Sequence, residues 1–179
     1  FGLNMVVHKG KTIFVGDTSV HEYPTSEQMA EIAISTARVV RLFGFNPKVA
    51  FVSHSTFGQP LTSRTKHIRN AVDILKEQKV DFEFDGDMQP DVALNPEYEE
   101  LYPFSKIVGK ANILIMPGQH SAAISYKMMK TLGDTKVIGP LLIGLGLPIE
   151  IAPLRSSTSE LINLASIAAY SADVIDYKK

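Results

Sequence analysis

Hydroxyl, imidazole and guanidinium groups concentrate in residues 53–64 of this 179-residue chain, S-H-S-T-F-G-Q-P-L-T-S-R. Ser53, Ser55, Thr56, Thr62, Ser63 and Arg64 are donors of the kind that hold an anionic group, and the same hydroxyls can instead cap a helix and satisfy their own loop. Gln119, His120 and Ser121 form a second polar cluster, with Lys127 and Lys130 placed to meet phosphate or to face solvent. His54 and His120 each follow an apolar run, so an imidazole base beside Ser53, Ser55 or Ser121 has the ingredients of nucleophilic catalysis. The G-x-S-x-G turn that presents a hydrolase serine is absent. The histidines, His8, His21, His54, His67 and His120, show no metal-ligand spacing. A calcium loop counted from Asp81 has Gly86 in place but Val92 where a bidentate carboxylate belongs, so no metal site is expected. Gly144-Leu145-Gly146-Leu147-Pro148-Ile149 lacks the last glycine of a dinucleotide fingerprint, and no phosphate-binding G-x-x-x-x-G-K-[ST] occurs.

The elements that position these groups follow from apolar spacing. Val49-Ala50-Phe51-Val52 is a strand, and Ile68, Ala71, Val72 and Leu75 form one helical face beginning near Thr62 or Ser63. Residues 111–116 form a second buried strand, stopped by Pro117-Gly118 and followed by a helix over residues 121–132. Strand, loop and helix in this order make an α/β sandwich, in which ligands settle outside the carboxyl ends of the strands. His8-Lys9-Gly10-Lys11 turns a hairpin between residues 5–7 and 12–15. Thr25-Ser26-Glu27-Gln28 is a capping box ahead of Met29, Ile32, Ala33, Thr36, Val40 and Phe43. A half-exposed strand is expected over 80–85, one short helix near 97–101, short strands at 135–138 and 149–151, and a last helix over 158–175.

Length and a 45% apolar content support one domain or two small lobes with a proper core. The net charge of −1 provides no field for nucleic acid or an anionic membrane, and neither is an expected partner. Absence of cysteine suits a reducing cytoplasm. The longest apolar run, residues 137–149, is interrupted by Gly139, Pro140, Gly144, Gly146 and Pro148, so no membrane span is expected. The opening at Phe1, directly before strand-like residues, points to a piece of a longer chain.

Four stretches together resemble the phosphate acetyl/butyryl transferases. Residues 24–33 are similar to P-T-A-E-Q-L-A-[DE]-I-A, residues 85–94 to D-G-[EP]-[ML]-Q-x-D-A-A-L, and residues 138–145 to I-G-P-[IV]-L-x-G-L. Residues 53–58 resemble S-F-S-x-F-G, which with Met88 and the F-V-G-D of residues 14–17 looks like the form fused as the C-terminal domain of bacterial NADP-dependent malic enzymes. The resemblance implies a three-layer α/β/α fold like isocitrate and isopropylmalate dehydrogenases, with a mostly parallel sheet carrying a hairpin. It further implies a main lobe over residues 1–147 and a segment, 148–179, that returns to another lobe. Acetyl-coenzyme A and phosphate become the expected ligands, and a homodimer or larger assembly the expected state. NADP and a divalent metal would belong to an upstream region.

Carried over, the motif near the C-terminus leaves the family's serine on Pro153, its arginine on Leu154, its glycine on Arg155 and its aspartate on Glu160, while a second arginine falls on Thr131. The crevice loop P-D-L-D-A-G-N reads as residues 117–123, with His120 and Ala123 at polar positions. The expected function is therefore an acetyl-coenzyme A-binding regulatory and assembly module, with Glu160 and Arg155 as remnants of a catalytic set. Its expected ligand residues are Ser53, Ser55, Thr56, Arg64, Gln119, His120, Ser121 and Lys127. The alternative is an active transferase with Glu160 as base and Arg155 holding phosphate.

Overall fold

Alternating apolar residues build β1 (Gly2–His8) and β2 (Lys11–Gly16), which pair antiparallel around a two-residue turn at Lys9 and Gly10. The computed structural model describes residues 1–174. α1 (Ser26–Leu42) begins at Thr25, whose hydroxyl accepts the Gln28 N–H at 3.2 Å while Gln28 Oε1 accepts the Thr25 N–H at 2.8 Å. β3 (Lys48–Val52) leads to α2 (Ser63–Glu77), which Thr62 and Thr65 cap reciprocally. Next come β4 (Glu83–Met88), α3 (Pro90–Leu94) and a tight 3-10 turn over Pro96–Glu100. β5 (Ile113–Ile115), α4 (Gln119–Leu132), β6 (Thr135–Leu142) and α5 (Thr158–Val174) complete the order.

The six strands lie in the order β4-β3-β5-β2-β1-β6. Only β1 runs against its neighbours; the rest share one direction. Side chains of Leu3, Phe14, Phe51 and Ile113 point to one face and pack with α1, α2 and Leu164 of α5. Val6, Val15, Val52 and Leu114 point to the other and meet Ala93 of α3 and Ala122 of α4. The result is the expected α/β/α sandwich with a mostly parallel sheet and one hairpin.

Boundaries differ where polar residues are buried. β4 starts at Glu83, later than the alternation of residues 80–85 indicates, and runs through Asp85 and Asp87. Both carboxylates are buried and taken up by donors: Asp85 accepts N–H groups of Gly86 at 2.9 Å and Lys106 at 2.8 Å, and Asp87 accepts that of Gly58 at 3.0 Å. α3 starts with Pro90 at a position whose missing N–H has no helical partner to lose. β6 continues past Gly139-Pro140 on the sheet edge, opposite an irregularity between Leu3 and Met5. Residues 149–151 make one bridge, Leu141 to Glu150, rather than a strand.

α5 seats Leu164 in the main core, and the Tyr170 hydroxyl donates to the Leu42 carbonyl at 2.9 Å. Ile175, expected in this helix, lies outside the described residues. No helix among the described residues is long and apolar enough to cross a membrane.

β3 and β4 approach closely at Gly86. A Cβ on Gly86 would stand 2.7 Å from Phe51 Cβ and 2.8 Å from the Phe51 carbonyl oxygen. Gly86→Ala should therefore destabilise the fold by about 1–3 kcal/mol, as overpacking does, measured as a lower urea midpoint at unchanged slope.

Candidate functional site

β5 lies between β2 and β3 and runs parallel to both, so the chain leaves all three strands at one end. The loops after Gly16, Val52 and Ile115 meet there, beside the first turns of α1, α2 and α4. Between them lies a cavity of about 370 Å³, lined by Glu22, Tyr23, Pro24, Ser63, Arg64, His67, Gly118, His120 and Ser121 among others. N-terminal turns of α2 and α4 border it, so their unpaired N–H groups add positive potential to the Arg64 guanidinium.

Local bonding shapes this crevice. Asp17 is buried and fastens residues 17–21: Oδ1 accepts the Val20 N–H at 3.0 Å, and Oδ2 accepts the His21 N–H at 2.9 Å and pairs with His21 Nδ1. The Glu22 carbonyl accepts the Gln119 N–H at 3.2 Å. Gly118 permits that approach, since a Cβ there would stand 2.6 Å from the Glu22 oxygen. His120 lies 3.3 Å from the Glu22 carboxylate and stacks on Tyr23 with centroids 6.2 Å apart. His67 Nε2 meets the Pro24 carbonyl at 2.9 Å, and the Ser26 hydroxyl donates to the His67 carbonyl at 2.8 Å, tying α2 to the start of α1.

Of the expected ligand residues, Arg64, His120 and Ser121 line the cavity, and Gln119 stands beside them. Ser53, Ser55 and Thr56 emerge at the same end of the sheet but are buried and bonded internally. The Ser55 hydroxyl donates to Asp87, Ser53 Oγ lies 3.2 Å from Ser55 Oγ, and Thr56 Oγ1 accepts the Gln89 N–H at 3.3 Å. They do not line one cavity with His120 and Ser121, because Asp87, Ser55 and Gln89 respectively engage the hydroxyls of Ser55, Ser53 and Thr56. Lys127 stands exposed on α4, its ammonium 6.0 Å from the centre of the Tyr126 ring. Glu22, Tyr23 and His67 line the cavity outside the expected set. His67 follows Arg64 by three residues, which places both on one helical face and could have marked it; Glu22 and Tyr23 carry no such signal.

Glu160 and Arg155 lie away from this cavity. Lys130 donates to Glu160 at 2.7 Å, and along α4 Lys130 is ~16 Å from Gln119 at 1.5 Å per residue. The Ser157 N–H and hydroxyl donate to the other Glu160 oxygen at 2.8 and 3.0 Å, while the Glu160 N–H donates back to Ser157 Oγ at 3.3 Å. Glu160 thus serves as the capping-box acid of α5. The Lys130 ammonium first, then the Ser157 donors, hold its carboxyl down at about 2. Leu154 and Arg155 are exposed, and Thr131 spends its hydroxyl on the Lys127 carbonyl at 2.9 Å.

A depressed carboxyl favours the folded state above its unfolded value near 4.5 and loses that contribution as pH falls towards 2. Thermal melts of wild type and Glu160→Gln should therefore differ at pH 6, and the difference should disappear by about pH 2.

A family model described as phosphate acetyl/butaryl transferase matches residues 2–169. The chain is 48% identical over 171 residues to the NADP-dependent malic enzyme of Rhizobium meliloti, covering 96% of this chain and 22% of that protein. Against the phosphate acetyltransferase of Bacillus subtilis it is 33% identical over 169 residues, covering 93% of this chain and 52% of that one. The crystal structure of a phosphotransacetylase from Streptococcus pyogenes superposes with a TM-score of 0.90 at 31% identity, over 96% of this chain and 53% of that one. The chain thus spans about half of the free-standing transferases and under a quarter of that malic enzyme, where it corresponds to the C-terminal phosphotransacetylase-like part. The chain belongs to the phosphate acetyl/butyryl transferase family.

Proposed function

We propose that this chain binds acetyl-coenzyme A without transferring its acyl group, and serves a cytoplasmic malic enzyme as a regulatory and assembly module. The observation that carries this reading is the state of Glu160. A base that takes the thiol proton of coenzyme A needs a free carboxylate whose affinity for protons approaches that of the working pH. Glu160 has both oxygens engaged by Lys130 and Ser157, and its carboxyl is held at about 2. The family's arginine positions carry Thr131 and Leu154, so phosphate would meet no guanidinium at either. Arg64 and the two helix N-termini at the strand ends still suit an anionic portion of the ligand. Oxidation and decarboxylation of malate, with NADP and a divalent metal, would fall to the remainder of such an enzyme.

Self-association is part of the same reading. Leu147, Ile149, Ile151, Leu154, Leu161 and Ile162 are all more than 45% exposed, and a second copy of the chain is the proposed cover for this patch. Light scattering of the intact protein should give at least a dimer, and Ile162→Glu should shift it towards monomer.

Calorimetry with acetyl-coenzyme A tests the binding, and a coupled assay for acetyl phosphate tests the chemistry. Binding to the intact protein is expected, weakened about 10- to 150-fold by Arg64→Ala through loss of a charge-assisted contact of ~1.5–3 kcal/mol. Transfer should stay at background in both wild type and Glu160→Gln. Robust wild-type turnover abolished by Glu160→Gln would overturn the reading in favour of an active transferase.

A further inference from the structure

We propose that a second cavity, enclosed by α1, the end of β6 and α5, binds a small apolar amine whose ammonium pairs with the carboxylate of Glu150. The cavity measures about 630 Å³, within the range of small-molecule sites. Much of its wall is apolar: Val39 from α1, Phe43 just after it, Leu141 from β6 and Ile167 from α5. Phe43 and Tyr170 stack there with centroids 6.3 Å apart, offering aromatic surface that also attracts a cation.

Into this apolar setting the bridge between Leu141 and Glu150 delivers one carboxyl group. Glu150 Oε2 is out of contact with water and accepts no hydrogen bond among the described residues. Burying an acceptor without a partner is costly, and a donor bearing positive charge relieves that cost most fully. Arg38, also at the cavity, is exposed and forms no ion pair with Glu150 among the described residues. An occupant with an ammonium at one end and a hydrocarbon or ring at the other meets both features of the cavity. A neutral apolar molecule would leave Oε2 as it is, and an acid would repel it.

Protonation gives the site a signature. Burial raises the Glu150 carboxyl to about 7, and the Leu142 backbone N–H draws it only part of the way back. Below that value an ammonium must first expel a proton, so its affinity should fall about tenfold from pH 8 to pH 6. The other charged or titratable groups at the cavity are Arg38 from α1 and Tyr170 from α5, whose hydroxyl is bonded to Leu42. Glu150→Gln separates Glu150 from both.

Calorimetry of the intact protein with phenethylamine, phenethyl alcohol and hydrocinnamate decides the matter. At pH 8 the amine should bind at least tenfold tighter than the alcohol, and the acid more weakly than either. That advantage should shrink about tenfold at pH 6, and Glu150→Gln should abolish both the advantage and its pH dependence while leaving the alcohol's affinity unchanged. Equal affinity for amine and alcohol at pH 8, tightest binding of the acid, or no binding of any probe would overturn the proposal. Should the variant fail to fold, the wild-type comparison of amine and alcohol at the two pH values is sufficient alone.

Discussion

The sheet depends on a strand only three residues long. β5, Ile113–Ile115, joins β3 to β2, so the halves β4-β3 and β2-β1-β6 are one sheet only through it. Three residues give few ladder bonds, and Asn112 extends the seam at its lower end. The Asn112 carbonyl accepts the Phe14 N–H at 2.8 Å and its own N–H donates to the Lys48 carbonyl at 3.0 Å. Its side chain accepts the Lys48 N–H and donates to the Asn46 carbonyl, each at 2.8 Å. One residue thus bonds both neighbouring strands, and β5 is held in parallel register with each. That register is what brings three loops and three helix N-termini to one end, where the crevice forms.

Buried polar groups divide the conspicuous residues into those that hold the fold and those left for ligands. Asp17 is consumed by its own loop, Asp85 and Asp87 by segments crossing from elsewhere, and Glu160 by the α5 cap. Each would have looked like a catalytic carboxylate by residue type. For Glu160 the Lys130 ammonium and the Ser157 donors stabilise the anion, so it loses its use as a proton acceptor near neutral pH. Glu150 is different because its Oε2 has no hydrogen-bond partner among the described residues, and Arg64 because it lines the crevice itself. What remains unpaired therefore says more about binding than what is merely polar.

Much of this was legible beforehand because short-range rules govern it. The capping box at Thr25 and Gln28, the buried strands around Phe51 and Leu114, and the meeting of their two following loops all followed from spacing and parallel connection. Family membership and the α/β/α fold were legible from motifs that span most of the chain. Ser55 and Thr56 were not readable as internal, since their partners Asp87 and Gln89 stand over thirty residues away. The strand expected over residues 80–85 lies instead at Glu83–Met88, since donors from Gly58 and Lys106, distant in sequence, let its acidic residues be buried. Ser157-Thr158-Ser159-Glu160 carried an S-x-x-E cap signal, but the motif likeness drew Glu160 towards chemistry instead.

α4 connects the two regions where such residues gather. Its 14 residues span ~21 Å, and Ala122 is its one fully buried side chain, with Tyr126 and Met129 packed partly against the core. A helix so shallowly seated takes its position largely from its ends. At the first turn the Gln119 N–H donates to the Glu22 carbonyl beside the crevice, and near the last Lys130 donates to Glu160 at the start of α5. The Lys130–Glu160 pair lies at the surface, where ion pairs are weak, so that end of the helix is held loosely. Under the proposed reading, α4 is the physical route from an occupied crevice through Glu160 to the α5 surface on which Leu161 and Ile162 stand exposed, and so to the contacts between chains.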